Sequence, residues 1–260
     1  NISYAHIENF KNLNEISKAK SEIINNIIPG GTMIINKDDK FYNYFLKKAK
    51  KRKLKIISFS KNDTEADVTF LNQKKNKDKY IMKFKLNNSI KYFIISKDLS
   101  KYKENILASL SIIINYFEIN KINKNIFVNF SIPKSRGSII KYKRGSKKLT
   151  IVDESYNSNP LSFKFALERF DSTYKEKKKK FLLVGNMLEL GKFSKNLHNE
   201  IAKYINKSKI NKTYVFGKLT KHTFNKLKPQ IRGKVLNNNM DILNLIKKEL
   251  PNNSFLMVKG

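Results

Sequence analysis

No cysteine occurs anywhere in the chain. That excludes a disulfide framework and a thiolate metal site, and it fits a reducing compartment. No apolar run approaches the ~18–20 residues that a helix needs to cross a bilayer. Acidic residues are scarce: 21 Asp and Glu stand against 54 Lys and Arg, a formal net charge of +33. A field of that sign draws nucleic acid or an anionic membrane surface. The basic residues are scattered through every segment, however, and they rise together with Asn and Ile, as drift toward AT-rich coding produces. A basic nucleic-acid-binding module therefore stays as an alternative that rests on charge alone. An internal repeat is also missing, and so is a phosphate loop of the form G-x-x-x-x-G-K-[ST]. What remains is 260 residues, 40% of them apolar, enough for one large or two medium domains with a substantial core.

One stretch stands out, Ile151–Ser162, with the sequence IVDESYNSNPLS. Leu149, Ile151 and Val152 read as a buried strand, with Asp153 and Glu154 at its carboxyl end. Asn159 suits a helix N-cap and Pro160 the first helical position. Phe163, Ala166, Leu167 and Phe170 then recur at helical spacing. Ligands collect at such junctions in α/β proteins, because loops and helix N-termini converge there. By spacing alone, an ordinary well-capped strand–turn–helix reads the same way. Further strands are expected at Phe181–Val184, Thr213–Phe216, Val235–Leu236 and Ser254–Lys259. Leu197, Ile201, Tyr204 and Ile205 mark one helix, and Asp241 caps another that runs to Leu250. This alternation predicts a mostly parallel, Rossmann-like sheet. Upstream, the pattern predicts a helix over about Asn14–Ile28 and strands at Thr32–Asn36 and Lys55–Phe59. A basic helix over Phe41–Ala49, two strands within Ile81–Ile95 turning at Asn87-Asn88, and a helix over Glu104–Phe117 complete it. The charged run Lys175–Lys180 reads as solvated.

The wording of several stretches resembles the Mur ligases. DESYNSNP is similar to their D-D-x-Y-N-A-N-P. Gly185–Gly191, GNMLELG, is similar to G-D-M-L-E-L-G and is followed by His198 as in that family. NISYAHIENF and SKAKSEII resemble the second half of the family's ATPase domain, and LMVKG its closing strand. The resemblance implies an α/β chain with two parts: residues 1–132, the second part of a central ATP-binding domain, and residues 133–260, a Rossmann-like C-terminal domain truncated at its end. The chain opens at Asn1 inside such a motif and without Met, so it reads as a fragment. The branch of the family it resembles most joins D-alanyl-D-alanine to UDP-N-acetylmuramoyl-tripeptide, using ATP and magnesium, in the cytoplasm. No specific nucleic-acid partner and no membrane span are expected, and a monomer is. Alternatives are another ligase of the superfamily (a different Mur enzyme or folylpolyglutamate synthase) and a non-catalytic relic.

The same resemblance singles out residues, each beside a plainer reading. Lys20 falls within the apolar stripe Ile16, Ile23, Ile24 and Ile27 of the first helix. Burial there lowers a lysine's pKa, and a neutral amine can take up carbon dioxide as a carbamate. The family's lysine at this place is carbamylated and helps hold magnesium, with the histidine matched by His6. By residue type alone, Lys20 is a snorkelling side chain and His6 a loop histidine. Asn105 matches an asparagine near the adenine, whereas Glu104 and Ala108 replace a histidine and a second asparagine. Asn36, Asp38 and Asp39 match N-x-D-D but suit turn and cap duties equally. Pro133–Gly137, PKSRG, resembles a G-R-G segment whose arginine, here Arg136, reaches an ATP phosphate as a catalytic and nucleotide-binding group. Glu154 stands for the second aspartate, a nucleotide contact. Asn157 and Asn159 match the two asparagines of Y-N-A-N and are candidate substrate contacts. His198 reads as a structural residue or a substrate contact.

Overall fold

A computed structural model describes residues 1–4, 7–174 and 179–260. The chain divides into two compact units, one of Asn1–Ile2 and Asn12–Ser131, the other of Ser3–Lys11 and Ile132–Gly260.

In the first unit, Asn12 caps helix α1 (Leu13–Ser21) by accepting from the Glu15 N–H. The helix then tightens into a 3₁₀ segment at Glu22–Asn26. At three residues per turn the side chains leave the α-helical stripe. Ile16 and Ile24 stay buried, but Ile23 is 63% exposed. The expected single helix to Ile28 is thus corrected, and with it the place of Lys20, which is exposed rather than buried. Strand β1 (Thr32–Asn36), helix α2 (Tyr42–Lys51) and strand β2 (Lys55–Ser60) follow, with β1 and β2 parallel. Strands β3 (Val68–Asn76), β4 (Lys79–Leu86) and β5 (Ser89–Ser96) form an antiparallel meander beside β2. Asn87 takes the left-handed backbone that the tight β4–β5 turn needs. Helix α3 (Lys103–Tyr116) sets Ile106, Leu107 and Leu110 against Met82, Phe84 and Phe93 in the core. Phe70, Phe84, Phe93 and Phe127 run edge to face through it.

The second unit begins with the hairpin β6 (Ser138–Arg144) and β7 (Lys147–Asp153), then helix α4 (Pro160–Thr173). Asn159 accepts from Ser162 N–H while Ser162 Oγ accepts from Asn159 N–H, a closed capping box, and Pro160 fills the first turn. Strand β8 (Lys180–Val184), helix α5 (Ser194–Lys207), β9 (Lys212–Phe216), helix α6 (Thr220–Asn225), β10 (Arg232–Leu236), helix α7 (Asn239–Asn244) and β11 (Ser254–Lys259) complete it. The cap of α7 is Asn238, not Asp241. Asn238 accepts from Asp241 N–H, and Asp241 instead accepts from Asn237 N–H. The sheet order is β10-β9-β8-β11-β7-β6, parallel except for β6. All five residues of β8 are buried, as a central parallel strand requires. Lys180, at its start, is therefore no solvated residue. Its ammonium meets Asp171 at 2.7 Å, while Lys175–Lys178 lie outside the described residues.

Candidate functional site

Parallel pairing carries β7, β11 and β8 to a common carboxyl end. Val258 lies opposite Asp153 and Lys259 opposite Val184. The chain leaves β7 in the turn Glu154–Asn159, leaves β8 in the loop Gly185–Gly191, and reaches Gly260 between them. The last step is tight: a Cβ on Gly260 would stand 2.3 Å from the Gly185 Cα. A side chain at Gly260 would collide with the Gly185 backbone, so glycine there lets the two strand ends approach so closely.

The PKSRG segment folds back over this end. Ser135 and Gly137 both have positive φ, 59° and 98°. The left-handed backbone at Ser135 explains why the resembling segment carries glycine there. Ser135 Oγ donates to Asp153 Oδ2 at 2.9 Å, and the Gly137 N–H donates to the Asp153 carbonyl at 2.7 Å. Burial would raise the Asp153 pKa, but hydrogen bonds from Ser155 and Ser135 hold it below the ordinary carboxylate range. Tyr156 N–H donates to the Ser135 carbonyl at 3.1 Å. Arg136, exposed between two neighbours of positive φ, lies with its guanidinium 4.2 Å from the Tyr156 ring centroid.

Beneath this stack lies a cluster of charge. Glu154 is buried and forms an ion pair with Arg169 of α4. Lys259, 3% exposed, donates to the Asn157 carbonyl at 2.5 Å and the Glu154 carbonyl at 3.2 Å. Burial, and then the charges of Arg169 and Arg136, push its ammonium down to about 8. Sequence reasoning assigned no role to Lys259, Arg169 or Tyr156. A lysine closing the apolar run FLMV was the signal for the first.

The other expected residues fall as follows. Glu154 keeps its carboxylate on an internal arginine. Asn159 Oδ1 is taken by the helix cap, and Asn157 is exposed with its Oδ1 on the Ser158 N–H. In the first unit Asn105 is exposed on the first turn of α3. Ala108 packs against the core, while Glu104 accepts from Lys61 and Asn1. Asp38 accepts from Ser60 and from the Lys61 N–H, and Asp39 from Phe41 N–H and Ile2 N–H. Only the Phe41 bond is a local turn bond; the others tie the turn after β1 to the end of β2 and to the start of the chain. His6 lies outside the described residues. Lys20 is in water, so its carbamylation has no support from burial. Among the described residues no group of three His, Asp, Glu or Cys side chains could hold a metal ion. The described residues therefore do not make a magnesium site by themselves.

His198 is fully buried and holds the GNMLELG loop to α5. Met187 N–H donates to Nε2 at 3.1 Å, so the ring proton sits on Nδ1, 2.8 Å from the Ser194 carbonyl. This is the structural alternative, and it leaves neither ring nitrogen for a substrate. Burial lowers the pKa of His198. The folded state therefore favours the neutral ring. Stability is full above about pH 6.5 and declines as pH falls below it, because the unfolded chain takes up a proton that the fold resists. Thermal melts at pH 7 and pH 5 are expected to differ more for the wild type than for His198→Asn; equal differences would dismiss this assignment. The same loop holds the segment before α1, since Glu8 N–H donates to the Glu189 carbonyl at 3.1 Å. Asn186, at the place of the family's aspartate, accepts from Leu219 N–H, and the Cα of Gly217 abuts its side chain.

Comparison with known proteins agrees with this architecture. Residues 1–113 match the Mur ligase middle domain, and residues 139–260 match the Mur ligase, glutamate ligase domain. A UDP-N-acetylmuramoyl-tripeptide–D-alanyl-D-alanine ligase from Rickettsia prowazekii is 27% identical over 260 residues, 100% of this chain and 57% of that protein. Its namesake from Buchnera aphidicola subsp. Baizongia pistaciae is 30% identical over 267 residues, 99% of this chain and 54% of the relative. Among solved structures, MurF from Acinetobacter baumannii superposes with a TM-score of 0.81 at 19% identity, covering 100% of this chain and 55% of that one. MurF from Thermotoga maritima in complex with ADP gives 0.77 at 20%, covering 100% and 57%. The chain spans little more than half the length of these relatives. With both domain models matched in order and the site residues of the second unit gathered at one sheet end, the chain belongs to the Mur ligase family.

Proposed function

We propose that these residues are part of an ATP-dependent amide ligase that joins D-alanyl-D-alanine to UDP-N-acetylmuramoyl-tripeptide, a cytoplasmic step of peptidoglycan precursor synthesis that serves cell shape and division. The terminal carboxylate of the tripeptide attacks the γ-phosphorus of ATP, giving an acyl phosphate and ADP. The amine of D-alanyl-D-alanine then attacks the acyl carbon, phosphate leaves, and the nitrogen loses a proton. Such transfers rest on positioning and on neutralising phosphate charge.

The observation that carries the reading is Arg136. Its loop is pinned by Asp153, its guanidinium rests on Tyr156, and it stands at the carboxyl end of a parallel sheet. A planar fork held in this way suits two phosphate oxygens. Asn105, exposed at the start of α3, is proposed to meet the adenine edge, and Asn157 the substrate. Magnesium would come with the ATP phosphates; His6 and a carbamylated Lys20 remain its proposed ligands, and no step depends on them. A monomer is proposed.

The test uses the full-length protein with ATP, UDP-N-acetylmuramoyl-tripeptide and a panel of amines. Phosphate release and a product of the mass of the pentapeptide, formed with D-alanyl-D-alanine in preference to L-alanine, D-glutamate or diaminopimelate, are expected. Preference for one of the other amines refutes the assignment within the family. The 260 residues alone, which contain no phosphate loop, are expected to give no turnover.

A further inference from the structure

Lys259 is an unusual residue to find at the end of a parallel strand. Its ammonium is enclosed, and the two acceptors it reaches are neutral carbonyls, those of Glu154 and Asn157. Burying a charge on neutral partners is unfavourable, and packing alone would favour an apolar side chain of the same length. The Glu154 carboxylate is held by Arg169. The lysine therefore does something that an apolar chain cannot. It draws together the first and fourth residues of the turn between β7 and α4. A backbone bond from Glu154 N–H to the Val258 carbonyl, 2.9 Å, secures only the start of that turn. On the far side, where Tyr156 and Asn157 stand exposed, the Tyr156 N–H bonds to the Ser135 carbonyl and Lys259 bonds to the Asn157 carbonyl.

Tyr156 is the link to chemistry. Its N–H holds the Ser135 carbonyl, and its ring carries the Arg136 guanidinium. Ser135 and Gly137 pin the loop backbone to Asp153, and the Tyr156 ring lies against the Arg136 side chain which that backbone carries. From this chain of contacts we infer that Lys259 is a positioning residue for Arg136: it braces the turn whose tyrosine orients the guanidinium toward phosphate. This inference rests on the ligase reading for its catalytic consequence, though not for the placement itself. The charged groups that act on the lysine are Arg169 of α4, itself paired with Glu154, and Arg136 of the loop before β6. The two cations lower its pKa as burial does, which agrees with a crowded cationic pocket.

Two measurements test it. In the full-length ligase, Lys259→Met is expected to lower kcat by about tenfold to a hundredfold, the usual cost of a misplaced catalytic group. KM for D-alanyl-D-alanine should stay within about twofold, because the amine does not meet this pair. In the Arg136→Ala background the same substitution should cost nothing further, since the group it positions is gone. Multiplied losses, or a change confined to KM of the amine, would overturn the inference. The second measurement is the rate at which phenylglyoxal modifies Arg136 in the 260-residue chain, read by mass spectrometry against Arg232 as an internal reference. Lys259→Met should change the Arg136 rate and leave the Arg232 rate alone; an unchanged Arg136 rate overturns the inference even if the protein proves to be no ligase. Should Lys259→Met fail to fold, Tyr156→Ala, an exposed position, must alter Arg136 labelling in the same sense. If it does not, the proposed link through Tyr156 is wrong.

Discussion

Arg136→Ala in the full-length enzyme is expected to lower kcat by about 10²–10³-fold, the usual loss when one preorganised donor to transition-state charge is removed. That corresponds to roughly 3–4 kcal/mol of barrier. The physical basis is the geometry of the loop. Ser135 Oγ and the Gly137 N–H both end on Asp153, and the guanidinium lies over the Tyr156 ring. The side chain is thus partly ordered before phosphate arrives, and the entropy lost on binding is smaller than for a free surface arginine. Arg136→Lys should recover only part of the loss, because an ammonium cannot engage two phosphate oxygens with a planar fork. The exposed side chain contributes little to the fold, so the melting temperature should stay close to that of the wild type. Steady-state kinetics with ATP varied is the measurement. A kcat within threefold of wild type would remove Arg136 from the chemistry and leave the proposed function without its main support.

Glu154→Gln is the second large effect, and it separates two views of the same residue. If Glu154 serves chiefly as a nucleotide contact, the substitution changes ATP binding and leaves stability alone. The ion pair with Arg169, with the Glu154 side chain 9% exposed and the Arg169 side chain 20%, predicts the opposite. The Arg169 cation would lose the Glu154 carboxylate while the buried ammonium of Lys259 and Arg136 stay close by. Breaking a buried pair by removing one partner typically costs about 3–5 kcal/mol; with Arg169 partly in solvent, about 2–3 kcal/mol is the expected loss. Urea unfolding of the 260-residue chain measures it. The double substitution Glu154→Gln with Arg169→Met should regain most of the stability, since it removes the guanidinium along with the carboxylate that balances it. A Glu154→Gln protein as stable as the wild type, with weakened nucleotide binding in the full-length enzyme, would return Glu154 to the role expected from its motif.

What could be read ahead of the coordinates follows the range of the forces involved. Asn159 and Pro160 were legible because a cap is decided within four residues, and the capping box with Ser162 closes on itself. Strands β1 and β11 were legible as apolar runs between breakers. Strand β3 was not: VTFLNQKKN buries its first two residues and then exposes a polar end, and pairing with β4 holds it as a strand. Lys20 was misplaced because its burial was read from an unbroken helical phase, and the 3₁₀ segment after Ser21 ends that phase. Asp241 and Asn238 are equally good caps on paper, and the choice between them follows from where the chain leaves β10.

The order of residues along the chain was enough to determine the class of fold, the alternation of its second unit, and the local geometry around the DESYNSNP turn. Each of these depends on neighbours a few positions apart. Only the tertiary structure decided that Glu154 answers to Arg169, that His198 is an internal strut, and that Lys259 lies beneath the Arg136 loop. The pairings of Glu154 and Lys259 join residues 15 and more than 100 positions apart, the latter through a sheet whose last strand in sequence, β11, is inserted between β7 and β8. Parallel neighbours need long connections, so the partners at a strand's end are set by the sheet as a whole rather than by the segment that carries them.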